Sequence, residues 1–597
     1  MVLRSTRRPF VIGQSLVTAV LLAGCSSPFK PHDGDRATLG PAVTSALERE
    51  IAQLPSQALP MKPDSEPSDV ERTLAARRDE LQKIGPQWTT GGAGLNLGPT
   101  LDGQSRPEVQ LDLKAVIQRA VRNNLAVQAA RIDESITDAQ LARAEAIFDA
   151  TLFADTSFVR ATQPQVGTNL GNGTVLNSVR DSRDWAFSTG LQKPLVTGGR
   201  FDVGTSMTRS KRSPNDLYSP DPAWATAVNL GYTQPLLRGF GTDVNMAQIY
   251  IARNTDRTAF EQMRAQLLQT VDNAETAYWR LAFARQTLVS AEWLVQVGTE
   301  SRDVLARRRE FDATLAQYAN AVATVEQRKA SVLTAQRSVN IANNTLKALI
   351  NDPDLPVGGE VSIVPIDIPF EAMLQQDLRQ AIIVAAEKSP QVAQSLLAID
   401  TASIGVTVAD NGRLPQLDLE GRLAWFGLDG NFGDAYSDVT SGDFVEYIVG
   451  ARFSQAIGNR AAEATYREAR LARSKSVIGY RAAIQQAVLE VKNASQEVVT
   501  NHALIRQNRS FRLAQAENLR ALLVSEKTLA ALTPEFLQLK FQLQDTLARA
   551  EIQLVGSLVD YNVAISSLHR AMGVGLDINQ IEIEVVDPRT SKNVASR

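Results

Sequence analysis

The 597-residue chain holds one cysteine, Cys25, and three histidines, His32, His502 and His569. A disulfide framework and every Cys/His-rich zinc pattern are thereby excluded. An excess of charge of one sign is also missing: 62 basic and 65 acidic residues leave a net charge of −3, whereas a dedicated nucleic-acid binder needs a basic face. Aromatics make up 6%, few for the several compact cores that this length would otherwise fill. Beyond the N-terminal leader no segment runs 18 residues without a polar break, so no membrane-crossing helix is expected. HExxH, G-x-S-x-G and dinucleotide fingerprints are absent, and the patch at Gly91, Gly92 and Gly94 lacks the Gly-Lys-Ser/Thr of a phosphate loop. No enzyme, cofactor, metal site or nucleic-acid partner is expected.

Arg4, Arg7 and Arg8 precede a short apolar run, Phe10 to Leu22, which reads as a signal peptide over residues 1–24. The tetrad Leu22-Ala23-Gly24-Cys25 resembles the bacterial lipoprotein processing box, which implies acylation of Cys25 as the first mature residue. Ser26 in place of Asp resembles the pattern for outer membrane delivery. An ordinary secretory signal with an incidental Cys25 is the alternative. Residues 26–107 carry ten of the 25 prolines, so residues 25–110 read as an extended tether with one short helix around Val70–Lys83.

Past the tether, proline is missing between Pro235 and Pro353, Pro415 and Pro534, and Pro534 and Pro588. These gaps are rich in strong helix formers. Ala274, Tyr278, Leu281, Leu288, Ala291 and Val295 follow a heptad-like spacing, the mark of helices packed along a seam. Helices are expected over Leu113–Ile147, Thr242–Phe311, Leu315–Ile350, Leu374–Asn411, Asn459–Leu529 and Pro534–Met572. One of about 70 residues is on the order of 100 Å long, beyond the need of any globular core.

Between the helices the period changes to two. Leu417, Leu419, Gly421, Leu423 and Trp425 alternate with Asp418, Glu420 and Arg422; Val445, Tyr447, Val449, Ala451 and Phe453 alternate with Glu446, Arg452 and Ser454. Trp185, Phe187, Leu191, Val228, Leu230 and Tyr232 fill the matching stretch of the first half. Half of all aromatics lie in residues 148–240 and 425–453. Such strands suit a membrane barrel, with the long polar stretches Gln163–Arg183, Ser213–Pro222 and Asp429–Gly442 as loops. A soluble sheet packed on one side is the alternative.

The second half echoes the first. Thr233-Gln-Pro-Leu236 matches Ser454-Gln-Ala-Ile457, and a constant offset of 217 pairs Ala247 with Ala464, Arg253 with Arg470, Gln269 with Gln486 and Leu315 with Leu532. With these motifs in this order, residues 110–573 resemble the outer membrane efflux protein family, the TolC-like channels. The resemblance implies an α+β membrane protein: a homotrimer with a shared transmembrane β-barrel continued by a long periplasmic α-helical barrel, two internal repeats per chain.

On that likeness residues 111–352 form a first repeat with barrel strands over 150–237, and residues 374–573 a second with strands over 415–457. Residues 353–373 and 574–597 are then equatorial segments. The first half has room for four strands where the family has two: either the extra hairpin near Trp185–Lys211 joins the wall, giving six strands per chain and 18 in a trimer, or it decorates a standard barrel of 12, and the expectation is 12 with extended strands or an accessory hairpin. Asp418, Glu420, Arg422, Glu446 and Arg452 are implied to face the lumen. Ala313, Thr314 and Leu315, with Ala530, Ala531 and Leu532, align with the tips where a periplasmic adaptor docks. The family's tip glycines are missing, and Phe536 and Leu539 stand where some members have an aspartate ring. Asp312 and Glu535 are the nearest acids at that mouth. The implied function is passive conduction, from an inner-membrane pump through the adaptor, in efflux or type I secretion. The alternative is a structural lipoprotein, a coiled-coil spacer between outer membrane and periplasm.

Overall fold

The computed structural model describes residues 48–49, 52, 68–87, 94–100, 106–164, 168–169, 175–176, 179–213, 219–308, 314–526, 533–582, 584–587 and 592–595. The expected signal peptide and Cys25 lie outside them, as do Asp312, Ala313, Ala530, Ala531 and Leu532.

The proline-free stretches are helical. The helices are α1 (Leu113–Asn123), α2 (Leu125–Glu145), α3 (Ala247–Arg308), α4 (Leu315–Ile350), α5 (Leu378–Lys388), α6 (Pro390–Asn411), α7 (Phe432–Ser441), α8 (Arg460–Glu526) and α9 (Pro534–Ala571). Helix lengths run 11, 21, 62 and 36 residues in the first half, then, apart from α7, 11, 22, 67 and 38. Two of the expected helices are divided. Leu113–Ile147 breaks at Asn124, whose backbone is extended and whose side chain accepts the Ala126 and Val127 amides. Leu374–Asn411 begins only at Leu378 and breaks at Ser389, because Pro390 has no N–H to give and suits a first turn.

Four helices lie side by side at each level. Nearest the strands the order is α2, α3, α6, α8; farther out it is α4, α3, α9, α8. The long helices α3 and α8 therefore run through both levels, while the short ones exchange. Tyr278, Leu281 and Leu288 of α3 bury against Val339, Leu346 and Ile350 of α4, and Val491, Ala494 and Val498 of α8 join Tyr561, Ala564 and Leu568 of α9. Each fully buried Leu, Ile or Val contributes about 1.5–3 kcal/mol, and the alanines between them allow close approach. The helix α6 has the length and mean hydropathy of a membrane span, yet it packs between α3 and α8.

The strands are β1 (Glu108–Leu111), β2 (Thr151–Pro164), β3 (Val179–Pro194), β4 (Arg200–Ser213), β5 (Ala223–Pro235), β6 (Ser362–Pro365), β7 (Gln416–Asp429) and β8 (Val445–Ser454). Where short helices meet, β1 and β6 pair in parallel. The Tyr278 hydroxyl donates to Asp367 Oδ2 at 2.6 Å and accepts the Ile366 and Asp367 amides. Burial and the adjoining Asp367 carboxylate push its phenol well above the ordinary range. Buried Arg285 bridges Ser362, Ile363 and Glu108 from the same helix.

Apart from two short hairpins, Thr168–Asn169 with Val175–Leu176 and Glu584–Asp587 with Lys592–Ala595, the other strands form one antiparallel sheet, ordered β8-β7-β5-β4-β3-β2. This corrects the favoured expectation of an accessory hairpin near Trp185–Lys211 and agrees with the alternative that the stretch joins the sheet. It lies between β2 and β5, paired without a slip on both sides, Ser188 opposite Ser206 and Ser206 opposite Ala227. A tight turn at Leu195–Gly199 joins β3 to β4, with Gly198 at φ +92° where a side chain would strain the backbone. The expected loop Asp429–Gly442 is corrected as well, since it contains α7. Asn431 caps that helix by accepting the Asp434 amide. Its Ala435 carbonyl lies 1.8 Å from where a Cβ on Gly427 would stand, so only glycine admits it there.

Residues 68–87 and 94–100 of the N-terminal segment are bound to the helices rather than free. Residues 68–87 pack against α8 and α9, with Leu81 buried among Leu513, Ala516, Leu519 and Leu547. Residues 94–100 follow α4, where Gln336 donates to the Asn96 carbonyl at 2.8 Å.

Candidate channel wall and helical tips

Strand periodicity divides the sheet into two faces. Unbroken pairing carries each face across all six strands, so membership follows from register alone. One face holds Leu419, Leu423, Trp425, Val228, Leu230 and Phe187. The other holds Asp418, Glu420, Arg422, Glu446 and Arg452, all five charges that the sequence singled out. Arg452 and Glu420 form a diagonal cross-strand pair at 3.6 Å. Arg422 donates to Asn229 Oδ1 at 3.2 Å, and Gln416 donates to Asp418 at 2.7 Å. These contacts are solvated, so each is worth a fraction of a kcal/mol and leaves the charge available to a solute.

Among the described residues the outer edges of the sheet, on β2 and β8, have no strand partner. They are also its most exposed strands: Tyr447 and Val449 are 80% and 81% exposed, and Leu152 and Phe158 are likewise open. Long apolar edges of this kind invite another chain. The flanking helices repeat the pattern, with Leu125, Ile132 and Ile136 exposed on α2 and Leu471, Ile478 and Leu489 on α8.

At the sheet–helix junction a cavity of about 410 Å³ is lined by Ile147, Phe148, Pro194, Arg200, Asn245 and Asp418. It places Asp418 and Arg200 at the base of the polar face. Among the described residues no cluster of His, Cys, Asp or Glu could hold a metal ion.

At the far tips the structure describes Thr314, Leu315 and Glu535 of the sequence-derived set. Thr314 opens α4 with a reciprocal cap: its hydroxyl accepts the Gln317 amide and Gln317 Oε1 accepts the Thr314 amide. Thr533 caps α9 in the same position, ahead of Pro534. Leu315 and Glu535 are exposed in the first turns. Behind them Leu305, Ala321, Leu537 and Phe541 form a small core.

Sequence reading passed over Arg328, the charged centre of the tips. Buried on α4, it donates to the Leu294 carbonyl, to Gln544 and to Asp545 at 2.8 Å, tying α3, α4 and α9 together. A signal was present: Asp545 is the residue that the 217-residue offset assigns to Arg328. Lys540 with Glu526 adds a second link, from α9 to α8.

No family model matches the chain, and no curated protein does. Solved structures do. The open-state MtrE outer membrane channel of Neisseria gonorrhoeae aligns with a TM-score of 0.55 at 17% identity, over 78% of this chain and 89% of that one. The CmeC outer membrane channel of Campylobacter jejuni aligns at 0.57 and 14%, over 78% and 86%. The outer membrane protein VceC of Vibrio cholerae aligns at 0.55 and 15%, over 77% and 96%. The chain has the fold of these outer membrane proteins.

Proposed function

We propose that three copies of this chain form an outer membrane channel, a TolC-like outer membrane factor. It conducts solutes passively from a periplasmic adaptor and an inner-membrane pump to the exterior. The carrying observation is the two-faced sheet with open apolar edges, continued by a layer four helices wide. In lipid an open edge leaves backbone groups unsatisfied at several kcal/mol each, so the sheet must close. Six strands are fewer than the smallest bacterial barrel, so closure takes further copies. The chain strands run up and down an even number of times, which lets β2 of one copy meet β8 of the next antiparallel.

In this reading the apolar face meets lipid. Asp418, Glu420, Arg422, Glu446 and Arg452 line the lumen, and the two halves act as internal repeats. Cys25 carries the acyl anchor. Thr314 and Leu315 with Ala313, Ala530, Ala531 and Leu532 offer the adaptor its docking site, Asp312 and Glu535 lie at the periplasmic mouth, and Arg328 braces α3, α4 and α9 behind it. Opening is then a two-state shift biased by adaptor binding. A coiled-coil spacer has no use for a six-stranded sheet apolar on one side.

Purified protein should migrate as a trimer and give single-channel currents in planar bilayers. A monomer that leaves liposomes impermeable would end this reading. Cysteines placed at Thr314 and Ala531 should crosslink the adaptor.

A further inference from the structure

We infer that all six strands enter the shared wall, so that three copies close an 18-stranded barrel as wide as the helical tunnel beneath it, open to cargo of macromolecular width. The inference rests on the channel reading and adds the class of cargo.

Girth is fixed per chain, whatever the copy number. Strands about 4.8 Å apart and tilted about 40° each occupy about 6.3 Å of circumference, so six take about 38 Å. Four helices about 9 Å apart take about 36 Å. The two layers of this chain therefore match, and the wall passes from helix to strand without a taper. Four strands would span about 25 Å and force the pore to narrow by about a third at the membrane. With three copies the backbone diameter is about 36 Å for 18 strands and about 24 Å for 12. Side chains about 5 Å deep on each wall leave roughly 25 and 14 Å.

The lining preserves that width. Midway along the added strands β3 and β4 the polar face presents Ala186, Ser188, Gly190, Gly204 and Ser206, all too short to reach inward, with the longer Asp184, Gln192, Arg200 and Asp202 nearer the strand ends. Phe153 packs over Gly190, 2.8 Å from where a Cβ there would stand, and so covers the wall. The loop helix α7 does not cap the opening. Through Gly427 and Thr226 it lies on the apolar face, with Phe432 set edge-on to Trp224. An α-helix is about 10–12 Å across, so a lumen of roughly 25 Å passes a polypeptide with helices already formed. Drug-sized solutes need no such width.

Two measurements on the full-length trimer test this. Cysteine pairs joining Thr156, Phe158 or Arg160 on β2 to Tyr447, Val449 or Ala451 on β8 should give oxidised intersubunit dimers and trimers. Intersubunit crosslinks from Met207 on β4 to β8 instead would mean a four-strand contribution and would overturn the inference. In cells, Ser206→Cys should react with maleimide polymers up to about 20 Å wide, with the parent chain as background. Rejection of all reagents wider than about 14 Å would overturn the macromolecular width while leaving the channel intact. If Met207→Cys is labelled and Ser206→Cys refuses even the smallest reagent, the faces are reversed and the channel reading itself fails.

Discussion

Replacing Arg512 with methionine should release the N-terminal strap from the helices while leaving the trimer assembled. Arg512 and Glu551 are 7% and 8% exposed and pair at 2.8 Å. The guanidinium also donates to the carbonyls of Leu81 at 2.8 Å and of Gln82 and Ile84 at 3.0 Å each. The Leu81 and Gln82 carbonyls end a short helix, Arg78–Gln82, where Leu81 otherwise accepts the Ile84 amide at 3.2 Å and Gln82 the Gln87 side chain at 2.9 Å. Three charge-assisted bonds vanish in Arg512→Met, and Glu551 is stranded inside. Breaking a buried pair in this way costs about 3–5 kcal/mol. Against this the strap retains the burial of Leu81, about 1.5–3 kcal/mol, with Leu74 and Ile84 packed beside it, the Ser68–Ser510 hydroxyl contact, the Arg77–Glu517 pair and the bond from Gln286 to the Gln87 carbonyl. Arginine therefore outweighs leucine in the docking. At 1.36 kcal/mol per decade, hydrogen exchange of the amides over residues 78–84 should accelerate about 150- to 5,000-fold. Adding Glu551→Leu should restore the packing of α8 on α9, read as protection of their own amides, without restoring the strap. Unchanged exchange over 78–84 in the single variant would refute the reasoning.

Charge reversal at Glu420, Arg422 or Arg452 should change conductance and ion selectivity in planar bilayers with trimer yield unaltered; unchanged currents for all three would remove them from the lumen. Thr314→Ala removes the reciprocal cap of α4, costs about 1 kcal/mol, and should raise hydrogen exchange in its first turn while the Arg328 region stays protected. Arg328→Met should loosen the tips by about 1–3 kcal/mol and raise resting conductance, because its bonds to the Leu294 carbonyl and Gln544 are lost while the half-exposed Asp545 stays solvated. Burial lowers the imidazole pKa of His569 below its ordinary 6.5. The fold thus disfavours its charged form, and its contribution, complete above pH 6.5, is lost as pH falls from there through the lowered value. His569→Gln should reduce the drop in thermal stability between pH 7.5 and 5.5.

Helices were the most legible part of this chain because proline and composition act locally. The gaps in proline and the Thr533-Pro534 start located α3, α4, α8 and α9 within a few residues. The breaks at Asn124 and Ser389 were written as an N-cap residue and Ser-Pro, yet strong periodicity on both sides masked them. Period-two alternation put Asp418, Glu420, Arg422, Glu446 and Arg452 on one face, and pairing agrees. What alternation could not give is the number of strands in the wall. Trp185–Lys211 alternates the same way whether it pairs on both edges or hangs from one, and only long-range register decides. The α7 helix hid in a polar stretch because Phe432, Ala435, Tyr436 and Val439 are spread among Gly, Asp and Ser. Arg328 was missed for a different cause: burial of a charge leaves no local trace, and only the 217-residue offset, not any pattern along the chain, links it to its distant partner Asp545.

The exchange of short helices at the belt has a mechanical consequence. Since α2 and α6 end where α4 and α9 take over, α3 and α8 are the continuous shafts between tips and sheet. Torque applied at the distal end reaches the strands along those two shafts, and the joint held by Tyr278, Arg285 and Tyr561 braces them where the short helices change over, so the two halves turn together.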